Sequence, residues 1–109
     1  MNNRILFVDD DYDVLSAYER NLRKIYSVNT ALSGVEALGI IRESATFAVV
    51  VSDYKMPQIN GIDFLAEVRK ISPDTVRIII TGYADMQICI DAVNEGNVYR
   101  FLTKPYPTE

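Results

Sequence analysis

Four short apolar runs, each closed by a polar residue, restrict the fold of this chain more than any other feature. Ile5-Leu6-Phe7-Val8 runs into Asp9-Asp10, Val49-Val50-Val51-Ser52 into Asp53, Ile78-Ile79-Ile80 into Thr81, and Phe101-Leu102-Thr103 into Lys104. Runs of this length, separated by amphipathic stretches, read as buried strands of a parallel sheet alternating with helices. In such a sheet every strand ends at the same edge. Three acids, a hydroxyl and an ammonium distant in sequence would therefore meet in the crevice beyond the carboxyl ends, where open parallel sheets place their binding sites.

The stretches between the runs fit this reading. Val14, Leu15, Tyr18, Leu22 and Ile25 recur at helical spacing and predict a helix from about Asp11 to Lys24. Tyr26 to Ala31 alternates, as a more exposed second strand would. Ser33 and Glu36 have the spacing of a capping box and open a short helix carrying Val35, Leu38 and Ile41. After Asp53, a Pro- and Gly-punctuated loop reaches Asn60, the expected cap of a helix bearing Ile62, Leu65, Val68 and Ile71 that stops before Ser72-Pro73. A fourth strand spans about Val76 to Thr81, and Asp85 is the expected cap of a helix bearing Ile88, Cys89, Ala92 and Val93. Val98 to Thr103 makes the fifth strand. Strict strand–helix alternation, without repeats or linkers, predicts one α/β domain over residues 1–109 with an open, doubly wound, five-stranded parallel sheet.

Composition narrows the chemistry. No apolar run approaches the length needed to cross a bilayer, and Met1-Asn2-Asn3-Arg4 lacks the apolar core of a signal peptide, so a cytoplasmic protein with no membrane partner is expected. The single cysteine, Cys89, excludes an internal disulfide and reads as a small core residue between Ile88 and Ile90. The chain has no histidine, which removes His-based acid–base catalysis and most zinc sites. With net charge −4 and eleven scattered Lys and Arg there is no footprint for direct nucleic-acid binding.

Asp9 and Asp10 at one strand end and Asp53 at another form a self-repulsive cluster if their strands are neighbours, and a cation would relieve it. With oxygen ligands alone, Mg2+ is the natural ion, and it readily coordinates phosphate oxygens as well. Lys104 and Thr81 could hold a phosphoryl group from the other side, and a carboxylate can itself be the nucleophile that receives it. Asp53 is placed for that role, leaving Asp9 and Asp10 for the metal.

These residues match a known pattern. Val8-Asp9-Asp10, Ser52-Asp53-Tyr54-Lys55-Met56-Pro57, Asn60-Gly61, Thr81-Gly82 and Lys104-Pro105 together closely resemble the receiver domain of two-component response regulators, from about Ile5 onward. The resemblance implies a flavodoxin-like strand order, 2-1-3-4-5. It implies that Asp53 accepts a phosphoryl group from a phosphohistidine on a sensor histidine kinase. Asp9, Asp10, Asp53 and the backbone carbonyl of Lys55 would hold magnesium. Thr81 would turn toward the phosphoryl group, Phe101 would move inward as the switch aromatic, and Lys104, in a cis Lys104–Pro105 unit, would contact the phosphoryl oxygens. Such a domain catalyses only its own phosphorylation and dephosphorylation, and it acts on an output domain or downstream partner.

The run from Asn94 to Pro105 resembles receivers fused to HD-GYP phosphodiesterases or AAA+ activators. The family's fifth helix is expected to be missing from a chain that stops at Glu109, which would leave apolar residues of the fourth and fifth strands open on one face. A homodimer through that face, or a longer parent regulator, is the corresponding expectation. An enzyme reading, a magnesium phosphatase of the haloacid-dehalogenase type, finds its Asp-x-Asp spacing in Asp9-Asp10-Asp11 but leaves Asp53 without the nucleophile role. A flavodoxin-like cofactor reading needs a phosphate-binding loop where this chain carries acids.

Overall fold

The computed structural model describes residues 2–44 and 46–103. Among these, five strands alternate with four helices: β1 (Arg4–Val8), α1 (Tyr12–Leu22), β2 (Ser27–Ala31), α2 (Gly34–Glu43), β3 (Val49–Asp53), α3 (Gly61–Ile71), β4 (Val76–Thr81), α4 (Met86–Asn94) and β5 (Arg100–Thr103). A single 3-10 turn, Tyr83–Asp85, leads into α4. The strands are all parallel and lie in the order β2-β1-β3-β4-β5, as expected. No helix among the described residues is long and apolar enough to cross a membrane.

The two-residue period of the strands sorts their side chains into two cores. Leu6, Val8, Val50 and Ile79 face one side, where Leu38 and Ile41 of α2, Phe64, Leu65 and Val68 of α3, and Cys89 and Ala92 of α4 cover them. Phe7 and Val51 face the other, under Leu15 of α1, with Phe7 stacked on Tyr18 at 4.5 Å between centroids. Ile78 and Ile80 are half-buried on that second side, and Leu102 is 46% exposed. Ser33 and Asn60 cap as their spacing predicts, accepting from the Glu36 and Asp63 amides, and Asp11 caps α1 by accepting from the Asp13 amide.

Several helical residues expected to face the core do not. In α2 the buried stripe is Gly34, Ala37, Leu38 and Ile41, and at Gly34 the helix lies so close to Ile59 and Phe64 that a Cβ would stand 2.6 Å from the Ile59 side chain. Val35, one residue and about 100° further round, is exposed, as is Ile88 beside the buried Cys89 and Ala92. Ile71 and Ile25 are exposed where their helices end. Strand β5 begins at Arg100 rather than Val98, because Arg77 holds the approaching segment. Its Nε donates to the Asn97 carbonyl at 3.1 Å and one terminal nitrogen to the Pro73 and Thr75 carbonyls, while its own carbonyl accepts from the Tyr99 amide at 2.7 Å. Val98 is thus buried without joining the ladder.

Cys89 is fully buried, as a core residue should be. Burial pushes its thiol upward from the ordinary value, a hydrogen bond with the Thr81 side chain opposes the shift, and the Asp85 charge adds to it. The native thiol is therefore neutral at pH values where the unfolded one ionises. Its contribution to stability is complete below the unfolded value, near 9.0, and is lost as pH rises toward the folded one. Wild type should lose denaturation midpoint between neutral pH and pH about 10 more steeply than Cys89→Ala, which lacks the titrating group; parallel slopes for the two proteins would refute this.

Candidate functional site

The register of the sheet assembles the site. Val8 pairs with Ser52, so the residues that follow, Asp9 and Asp10 from β1 and Asp53 from β3, emerge side by side. Their carboxylates offer oxygens that all lie within 4.8 Å of one another. Asp9 and Asp53 are each 6% exposed, whereas Asp10 faces solvent. The Asp11 amide donates to Asp9 Oδ1 at 2.9 Å and the Asp9 amide to the Ala31 carbonyl at 3.2 Å, which fixes Asp9 between α1 and β2. Three carboxylates at this spacing repel one another, and an all-oxygen donor set without histidine or sulfur suits a hard divalent cation such as magnesium.

On the neighbouring strand Thr81 is buried at the same edge, its hydroxyl donating to the Gly82 carbonyl at 3.3 Å. The loop after Asp53 is tightly built. The Tyr54 amide continues the ladder to the Ile80 carbonyl at 3.0 Å, Gln58 takes a positive φ of 74°, and the Gly61 amide donates to the Tyr54 carbonyl at 2.8 Å. At Gly61 a Cβ would stand 2.2 Å from the Asp53 carbonyl oxygen, so α3 begins in direct contact with the backbone of the central aspartate. Only glycine fits there.

Two cavities flank this edge. One of about 430 Å³ opens over Asp10, Met56, Pro57 and Asn60, and a second of about 300 Å³ over Asp53, Thr81 and Gly82. Tyr54, Lys55 and Asp85 line both. Lys55 Nζ meets Asp85 Oδ2 at 3.6 Å, an ion pair across the divide.

The structure thus brings together Asp9, Asp10, Asp53 and Thr81, with the Lys55 side chain at the mouth. Phe101 lies on β5, half-buried against the core that α4 helps to cover. Lys104 and the Lys104–Pro105 bond lie outside the described residues. Asp85 departs from expectation: it occupies the cap position of α4, but its side chain makes no capping hydrogen bond and pairs with Lys55 instead. Sequence reasoning missed Gly61 as a packing residue and Arg77 as the anchor of the segment before β5. A lone arginine inside an apolar strand was the available signal for the latter.

Comparison with known proteins agrees with this geometry. The family model described as "Response regulator receiver domain" matches residues 5–109, and the chain belongs to that family. The hydrogenase transcriptional regulatory protein HoxA of Cupriavidus necator is 36% identical over 102 residues, covering 94% of this chain and 21% of HoxA. The chain thus spans about a fifth of that relative's length. A crystal structure described as adenylate cyclase from Rhodopirellula baltica superposes with a TM-score of 0.95 at 44% identity, covering 99% of this chain and 80% of that one. A response regulator receiver domain protein from Clostridium thermocellum gives 0.88 at 37% identity, covering 95% and 83%. The chain is a phosphoacceptor receiver domain of the two-component response regulator type, a regulatory class that binds magnesium at an acidic pocket and interacts with sensor kinases. Nothing in these comparisons supports a haloacid-dehalogenase phosphatase.

The Gly61 contact makes a sharp prediction. Gly61→Ala forces α3 away from the Asp53 carbonyl and should cost about 1–3 kcal/mol, the usual range for overpacking. Urea denaturation would show it as a lowered midpoint with little change in slope; an unchanged midpoint would mean that α3 is not seated against Asp53.

Proposed function

We propose that Asp53 is the phosphoacceptor of this receiver, that Asp9, Asp10, Asp53 and the Lys55 carbonyl form its magnesium site, and that Thr81, Lys104 and Phe101 carry the response. The observation that supports this most is the cluster of three carboxylates with Asp53 buried between two strands and Thr81 beside it. One Asp53 carboxylate oxygen attacks the phosphorus of a kinase phosphohistidine. The P–N bond breaks as the O–P bond forms, and the imidazole keeps the electron pair. Bound magnesium supplies charge neutralisation for the transferring oxygens.

The residues of this chain do the positioning. Sheet pairing of Asp53 with Ile80 and the Gly61 contact hold the backbone of the acceptor, so its carboxylate needs little reorganisation. Thr81 offers a hydroxyl whose present acceptor, the Gly82 carbonyl, is a neutral and weak partner at 3.3 Å. A phosphoryl oxygen is a stronger one. Lys104 supplies a compact positive charge from the end of the fifth strand. Space vacated by Thr81 lets Phe101 move inward, and the face of β4, α4 and β5 shifts with it.

In this reading the domain is not an enzyme toward other substrates and works in the cytoplasm. It receives its phosphoryl group from a sensor histidine kinase and reports to an output domain or partner without itself touching nucleic acid. HoxA is named a transcriptional regulator and the Rhodopirellula structure an adenylate cyclase, so receivers similar to this one serve different outputs.

With acetyl phosphate and magnesium, Asp53→Asn should lose at least about 90% of labelling while keeping the fold, because the nucleophile is gone. Asp10→Asn should chiefly raise the magnesium concentration needed, because one ligand is lost. Labelling of Asp53→Asn at the wild-type level would sink the assignment. Thr81→Ala should label yet fail to shift the backbone NMR resonances of Val93 to Phe101; identical shifts in mutant and wild type would remove Thr81 from the switch.

A further inference from the structure

Asp85 stands where two interactions compete for one carboxylate. At the head of a helix it could accept the orphan amides of Gln87 or Ile88, the usual work of an N-cap. It does not: its backbone sits at φ −112°, ψ 12°, inside the 3-10 turn, instead of the extended conformation that a capping residue adopts. Its amide donates to the Gly82 carbonyl at 3.2 Å, and its carboxylate is drawn to Lys55 at 3.6 Å. The other caps of this protein, Asp11, Ser33 and Asn60, are extended and hydrogen-bonded.

We infer that the Lys55–Asp85 pair is a strap joining the acceptor loop to the start of α4, and that phosphorylation exchanges it for an Asp85 cap on that helix. The inference rests on the phosphoacceptor reading of Asp53. Lys55 and Asp85 line both cavities, so the strap crosses between the Asp10 side and the Asp53–Thr81 side. Phosphorylation replaces the single charge of the Asp53 carboxylate with a phosphoryl group of about −1.5 to −2, so the cavity that Lys55 lines gains about one negative charge and new acceptor oxygens that compete with Asp85 for its ammonium. The Lys55 side chain is 75% exposed on a flexible stem that can redirect its ammonium. The pair it leaves is long, at 3.6 Å, and its lysine end is solvated, while the Asp85 side chain is 19% exposed.

The same event loosens the turn. The Gly82 carbonyl accepts from both the Thr81 hydroxyl and the Asp85 amide. When Thr81 turns away, one of the two donors that hold this carbonyl is lost, and Asp85 is freer to extend and cap. Asp85 is thus a positioning residue. It acts through Lys55 in the resting protein and through the first turn of α4 in the phosphorylated one.

Hydrogen exchange at the Gln87 and Ile88 amides, read by NMR, separates the states. Asparagine caps as well as aspartate but cannot form the ion pair, so Asp85→Asn should already be capped without any ligand, as should Lys55→Gln. Both should slow exchange at one or both amides about fivefold relative to wild type, the scale of one cap. Asp85→Ala should not. With magnesium and beryllium fluoride, wild type should slow by the same factor and Asp85→Ala should stay fast. If Lys55→Gln and Asp85→Asn exchange like wild type in the resting state, the strap does not restrain the cap and the inference fails whatever happens at Asp53. If they do respond, and beryllium fluoride perturbs Asp53 while the wild-type Gln87 and Ile88 amides do not change, phosphorylation does not release the strap. If beryllium fluoride leaves Asp53 unperturbed, the phosphoacceptor reading fails and the exchange loses its trigger.

Discussion

The neighbourhood of β1 and β3 is the constraint on which the rest of the site depends. Asp9 and Asp53 are far apart in sequence, and only the pairing of Val8 with Ser52 puts them side by side. Burial on both faces protects this register. Leu6, Val8 and Val50 fill one core and Phe7 and Val51 the other, so a slip of one residue would exchange the two sets and mismatch both. The β1–β3 ladder is pinned at its start by the Ala48 amide on the Arg4 carbonyl at 2.9 Å, and the far end of β1 is held to β2 by the Asp9 amide on the Ala31 carbonyl. A repulsive trio of carboxylates is tolerated because apolar packing, not the acids, fixes the backbone beneath them.

What could be read from sequence divides along the same physical line. The strands were legible because parallel strands buried on two faces become continuous apolar runs, and the residues that end them fall at one edge whatever the loops do. Asp9, Asp10, Asp53 and Thr81 were found in this way. Helix faces were less legible. Val35 and Leu38 are both apolar and both fit a helical period, but the buried stripe begins with Gly34 and Ala37, whose smallness a hydrophobic pattern does not register and which at Gly34 lets Ile59 and Phe64 come close. Gly61 shows the same blindness. Its spacing after Asn60 reads as turn punctuation, whereas its role is an approach to the Asp53 carbonyl that leaves no room for a Cβ and exists only in three dimensions.

Caps follow a related rule. Ser33 and Asn60 behave as spacing predicts, and Asp11 caps likewise, each side-chain oxygen accepting from an amide in the first turn of its own helix. Asp85 has the right residue type and the right position, yet an ammonium from the β3–α3 loop takes its carboxylate. A local rule fails where a distant residue offers a competing partner, and here that partner belongs to the functional site. Departures of this kind are expected where function overrides local preference.

The packing of α4 explains why this helix suits the moving role. α3 anchors itself with Phe64, Leu65 and Val68, all fully buried, whereas α4 contributes only the small Cys89 and Ala92 to full burial. Less apolar area resists its displacement. Its two ends are also held unequally. Beyond the far end, Arg77 bonds the Gly96 and Asn97 carbonyls and Arg69 donates to Asn97 Oδ1 at 3.3 Å, while the near end has an unused cap, the Asp85 amide on the Gly82 carbonyl at 3.2 Å and one long ion pair. A helix tied at one end and loose at the other responds to a push by pivoting rather than translating. The less firmly held end is the one beside Thr81, so in the proposed switch a change there would turn the exposed face of α4, where Ile88 meets solvent. Strand β5 would feel that rotation through Phe101, which packs against the same core.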